Sequence, residues 1–116
     1  MDCFSFFGDT MIAQTPEPPY YAVIFTSIRT EVDEGYSDAA EKMLELAHEQ
    51  EGFLGAEFAR NELGINISYW RDLESIRKWK ENSEHQFAQD KGKTDWYKSY
   101  RTRIALVEKD YGFENK

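Results

Sequence analysis

Apolar positions along this chain recur with two spacings, and the spacings alternate from one segment to the next. Tyr20–Ile28 (YYAVIFTSI) is β-branched and aromatic with no breaker, which predicts a strand. That strand is apolar on both sides, with Tyr21, Val23 and Phe25 on one and Ala22, Ile24 and Ile28 on the other. Tyr36, Ala39, Ala40, Met43, Leu44 and Ala47 then recur at three and four among Glu and Lys, predicting an amphipathic helix over 36–51 that stops at Gly52. Phe53–Arg60 (FLGAEFAR) and Ile65–Trp70 (INISYW) read as strands, and the short Asn61-Glu62-Leu63-Gly64 link makes them a hairpin. Asp72 is placed to cap a second helix carrying Leu73, Ile76 and Trp79. Ser83 with Gln86 three later is a capping-box pattern, which predicts a restart there, with Phe87 and Ala88 following and Gly92 as the stop. Past Trp96-Tyr97, Ser99–Tyr111 alternates as a final strand, Ile104 and Leu106 on one face and Ala105 and Val107 on the other.

The order β-α-β-β-α-β is the split β-α-β of a ferredoxin-like α+β sandwich. Two helices cover one face of a four-stranded sheet, yet the first and last strands are apolar on both. The uncovered face calls for a second copy of the chain, so a homodimer is expected. Residues 1–19 have neither period and end in Pro16, Pro18 and Pro19, which predicts a flexible arm ahead of a domain over 20–116. Met11 is an alternative start within that arm, and its FSFF segment is a candidate for packing on a partner subunit.

Composition narrows the function classes. At 116 residues and 13.6 kDa the chain holds one ordinary domain. The single Cys3 excludes an intrachain disulfide framework and a cysteine zinc cluster. A net charge of −8 disfavours nucleic acid or an anionic membrane as partner, since both reward clustered cations. The longest apolar run, Tyr20–Phe25, falls far short of the ~20 residues of a membrane span. No Lys or Arg precedes Arg29, so a secretory signal is not expected and the chain reads as soluble and cytoplasmic. Aromatic residues make up 16% of a chain whose mean hydropathy is −0.73. They carry much of the burial, and a functional reading has to account for them.

No metal-ligand spacing, phosphate-binding glycine loop or Ser-His-Asp arrangement is present, so neither a metal nor another cofactor is expected. His85 is the most interesting titratable group, because Trp79, Phe87, Trp96 and Tyr97 lie near it in sequence and offer an apolar pocket. A helix-start histidine bonded to backbone is the competing reading. His48, late in the first helix, suits the helix dipole. Arg101 and Arg103 share a face of the last strand, where they either meet an anion or are simply solvated.

The combination PEPPYYAVIFTS, GFLG at 52–55, ISYW at 67–70, Trp79, Glu84-His85, Ala88-Gln89, Gly92, Trp96-Tyr97, Tyr100 and Arg103 resembles the antibiotic biosynthesis monooxygenase family over about residues 16–113. The resemblance implies a dimeric α+β barrel in which each subunit has its own pocket between sheet and helices. It implies either oxygenation of polyketide aromatics with O₂ and no metal or flavin, or haem degradation. The haem-degrading members use an Asn on the first strand, a Trp on the second helix and a haem-ligating His. Here Trp79 matches, but Ser27 stands at the Asn position and Gln89 at the His position, so haem degradation is not expected.

Cofactor-free oxygenation needs a base, an apolar cavity and oxyanion stabilisation for a substrate that itself reduces O₂. Chemical suitability assigns His85 as base and Tyr69 or Arg103 as donors. Phe25, Ser27, Trp70, Trp79, Trp96 and Tyr100 are then left to bind a small aromatic metabolite. A non-catalytic binding or stress protein, or an isomerase or cyclase, would use the same parts.

Overall fold

A computed structural model describes residues 12–90 and 95–115, the side chains of 87–90 excepted. The elements are β1 (Tyr20–Arg29), α1 (Tyr36–Glu49), β2 (Phe53–Arg60), β3 (Gly64–Trp70), α2 (Leu73–Asp90) and β4 (Tyr97–Val107). The strands form one antiparallel sheet in the order β2-β3-β1-β4, the topology of the expected ferredoxin-like α+β fold. The expected FSFF contact, the Met11 start and the Gly92 stop lie outside the described residues.

Helix α1 ends at Glu49, two residues before the predicted end at 51, and Gly52 takes up a φ of +90° in the turn that follows. Helix α2 runs without a break, so the predicted restart at Ser83 does not occur. The Ser83 hydroxyl instead donates to the Lys80 carbonyl at 3.1 Å, which uses the capping oxygen inside the helix. Asp72 does cap α2: Oδ1 accepts from the Ser75 N–H at 2.8 Å and from its hydroxyl at 2.7 Å. Those two bonds, with Arg71 beside them, hold the Asp72 carboxyl down at about 2.

The final strand differs from the predicted Ser99–Tyr111 at both ends. Residues 108–111 leave the sheet, and Asp110 accepts a hydrogen bond from the Tyr20 hydroxyl. At the other end Tyr97 belongs to the strand. Ser99 pairs with Ile28 but Tyr97 with Arg29, so Lys98 is an extra residue.

Strand register assigns every side chain to a face. On the helix side stand Tyr21, Val23, Phe25 and Ser27 of β1, with Trp70 and Asn66 opposite them on β3 and Leu106 to Tyr100 on β4. The core is centred on Trp70, which is fully buried. Its indole stacks on Trp79 of α2 at 5.6 Å, meets Phe53 edge-on at 5.3 Å and donates to Ser68 at 2.8 Å. Leu44 and Ala47 of α1 and Ile76 of α2 complete it. Beyond that core the edge strand is uncovered, with Ile104 and Leu106 about half exposed.

The other face carries Ile24, Ile65, Ile67 and Ile28, and no helix lies over it. Residues 12–19 run along one end of it. The Ala13 N–H donates to Glu57 at 3.0 Å, Thr15 donates to the Tyr20 hydroxyl at 3.0 Å, and Ala13 abuts Gly55. No helix among the described residues is long and apolar enough to cross a membrane.

Truncating the central indole removes packing from both layers at once. Trp70→Ala is expected to cost about 3–5 kcal/mol in urea unfolding. A loss under about 1 kcal/mol would show that the core is centred elsewhere.

Candidate functional site

The helix side of the sheet is walled differently at its two ends. Trp70 and the helices fill one. At the other, β1 ends, β4 begins and α1 starts, and aromatic rings gather. The bulge at Lys98 brings this about, because it returns Tyr97 and Tyr100, three residues apart, to the same face. Their rings are 5.9 Å apart, and both meet Phe25, Tyr97 edge-on at 5.4 Å and Tyr100 at 5.1 Å. Tyr36, from the first turn of α1, closes the cluster at 6.0 Å from Tyr97, and the Tyr97 hydroxyl donates to the Tyr36 oxygen at 3.3 Å.

Two guanidinium groups flank this phenol pair. Arg29 lies over the Tyr36 ring, 3.4 Å from its centroid, a cation–π contact. It also donates to the Val32 carbonyl at 2.7 Å and pairs with Asp33 at 3.1 Å, while its buried Nε has no partner among the described residues. Arg60, the last residue of β2, reaches across β3 and donates to the Ser27 hydroxyl, which is buried beneath it. Burial, followed by the neighbouring Tyr36, pushes the Tyr97 phenol above its ordinary range, against a smaller opposing pull from Arg60 and Arg29. The hydroxyl is therefore a neutral donor at physiological pH. The cluster offers flat apolar surface, phenolic donors and positive charge, a set suited to an aromatic ligand with an electron-rich oxygen.

Of the residues singled out in the sequence, Phe25, Ser27 and Tyr100 meet here. Trp70 and Trp79 pair in the core at the opposite end, and Trp96 packs on Tyr36 at 5.8 Å and donates to the Glu34 carbonyl. His85 is exposed on α2; the apolar pocket expected from its sequence neighbours is dispersed, with Trp79 on Trp70 and Trp96 and Tyr97 on Tyr36. Tyr69 and Arg103 stand on the other face of the sheet. The Tyr69 hydroxyl donates to Glu57 at 2.7 Å, and burial together with that carboxylate raises its pKa. Arg103 is exposed opposite Ile24 and borders a shallow cleft of about 300 Å³ with Arg101, Thr26 and Leu63, a cleft that Ser27 and Tyr100 also line. One pocket holding His85, Tyr69, Arg103 and Phe25 together is not what the chain builds. Tyr36, Arg29 and Arg60 entered the site unforeseen, and Tyr97, expected only as a pocket wall beside His85, stands at its centre. Their signal was positional: Arg60 continues the parity of Ala56 and Phe58 on the helix side. No group of three or more His, Cys, Asp or Glu among the described residues is arranged to hold a metal.

Residues 19–91 match the family described as "Antibiotic biosynthesis monooxygenase". The chain is 47% identical over 105 residues to the uncharacterized protein YqjZ of Bacillus subtilis (strain 168), covering 89% of this chain and 92% of that one. Among solved structures, a Shewanella oneidensis protein superposes with a TM-score of 0.62 at 11% identity, over 77% of this chain and 91% of its own. SnoaB, a cofactor-independent oxygenase from Streptomyces nogalater, does so with a TM-score of 0.57 at 9% identity, over 84% and 100%. At such identities these two speak for the fold alone.

The raised Tyr97 pKa has a consequence for stability. A folded pKa above the unfolded value near 10 means that the fold holds the phenolic proton more tightly than the open chain does. The stability this supplies is complete below about pH 10 and is lost as pH climbs beyond it. In urea titrations between about pH 9 and 11, Tyr97→Phe is expected to lose stability less steeply than the unsubstituted protein. Parallel curves would show that Tyr97 is not held neutral.

Proposed function

Because the chain belongs to the antibiotic biosynthesis monooxygenase family, we propose that it is a cofactor-independent oxygenase of a small aromatic, quinol-like metabolite. The substrate lies on the helix side of β1 and β4, and two chains associate through the open sheet face. The observation that carries this reading is the cluster of Phe25, Tyr97 and Tyr100, with the Tyr97–Tyr36 hydroxyl pair set between Arg29 and Arg60. The substrate ring packs on Phe25 and Tyr100. Tyr97, kept protonated, turns its proton from the Tyr36 oxygen to the substrate oxygen, and the arginines favour its anion. The anion supplies the electrons that reduce O₂; one oxygen atom enters the product and the other leaves as water. The structural neighbour from Streptomyces nogalater is itself a cofactor-independent oxygenase, so the fold accommodates such chemistry.

Proton removal falls to His85 or to solvent. The exposure of His85 on α2 favours solvent. The face bearing Ile24, Ile28, Ile65 and Ile67 favours a homodimer, as does the family, and its apolar character makes salt ineffective in splitting it.

Oxygen uptake over a panel of anthrones and hydroquinones, with and without a chelator, tests the activity. Substrate-dependent uptake unaffected by chelator is expected, falling ~10-fold or more in Tyr97→Phe and within about threefold of normal in His85→Gln. Saturable binding with no uptake would make the protein a non-catalytic binder, and product without uptake would make it an isomerase or cyclase. Light scattering at micromolar concentration is expected to return twice the 13.6 kDa of one chain. A mass of a single chain would remove the dimer from the proposal.

A further inference from the structure

We propose that Arg60 is a substrate anchor: its guanidinium, laid flat over Gly64 against Ser27, takes the ionised oxygen of an aromatic acid, enol or phenol. This deepens the reading of the Phe25–Tyr97–Tyr100 cluster as the substrate site, on which it rests. The placement of Arg60 depends on a missing side chain. Gly64 sits opposite Arg60 in the β2–β3 ladder and is buried. A Cβ there would come within 2.1 Å of Nη2, 2.2 Å of Cζ and 2.7 Å of Nε of Arg60. The guanidinium therefore occupies the space that any other residue at 64 would fill. Gly64 lies in a regular strand with no left-handed φ, so the backbone itself has no need of glycine. What the glycine provides is room for the cation.

The charge is also uncommitted. Among the described residues Arg60 forms no ion pair, in contrast to Arg29, Arg71 and Arg77, each of which faces a carboxylate. It donates to the neutral Ser27 hydroxyl, which leaves most of its five donors for a ligand. An arginine fork suits an oxyanion, and Arg60 is exposed. In a chain with a net charge of −8, an arginine with no ion pair among the described residues gives local positive potential against the overall field. Asn66 stands in register between Phe25 and Phe58, so the path from Arg60 to the ring cluster is lined by flat and polar groups together.

The test compares two flat ligands of one shape: 2-hydroxy-1,4-naphthoquinone, ionised at neutral pH, and its uncharged 2-methoxy ether. Binding is followed by quenching of tryptophan fluorescence in the full chain. The ionised ligand is expected to bind about tenfold or more tightly than the ether. Arg60→Ala and Gly64→Ala should each abolish that preference while leaving affinity for the ether unchanged. The melting temperature should stay within a few degrees in Gly64→Ala, because the side chain it displaces is a flexible, exposed one. Equal binding of both ligands, or a preference that survives both substitutions, would overturn the anchor and leave the aromatic site standing. Binding of neither ligand would overturn the aromatic site and the anchor with it.

Discussion

Each side chain of a β-strand belongs to one face of its sheet, and the register of β1 with both neighbours extends that assignment across all four strands. The helices then take one face and leave the other to residues 12–19 and to isoleucines. Everything that follows about core and site is a choice made within this division. Trp70 can anchor α2 because it is on the helix side; Tyr69, one residue earlier, is thereby committed to Glu57 on the opposite side.

Stability and candidate chemistry occupy opposite ends of the helix-side layer. The Trp70, Trp79 and Phe53 rings fill one end at close packing, where a lost atom is costly. The other end is built of phenols, arginines and a buried serine, several of them partly exposed. Such an arrangement lets this end vary without dismantling the core, since the two ends share strands and few side chains.

Much of the fold was legible in the sequence, because period and breakers act locally. Both faces of β1, the hairpin at 61–64 and the Asp72 cap come directly from residue types and spacing. Ser83 misled because the same hydroxyl that caps a helix can also bond back to a carbonyl within one. The site was less legible. Sequence proximity suggested aromatic company for His85, but Trp79 is six positions earlier on the same helix, where it turns to the core while His85 is exposed. Tyr69 beside Trp70, and Tyr100 three residues from Arg103, were already separable by strand parity. The position of Arg60 was out of reach, because it depends on Gly64 and Ser27 lying side by side on neighbouring strands, which only the sheet reveals.

The extra residue at Lys98 is a phase slip in an otherwise even pattern. A chain lacking that one codon would close the irregularity and leave Tyr97 opposite Arg29, two positions from Tyr100 and on the same face. A chain that kept Lys98 in even alternation would instead set Lys98 opposite Arg29, and Tyr97 would point away from Phe25. A change of phase at this single place would thus revise the aromatic cluster in one event, whereas point substitution would need several coordinated changes. Diversification of such surfaces among relatives would then be recorded in where their edge strands slip phase as much as in the residues that compose them.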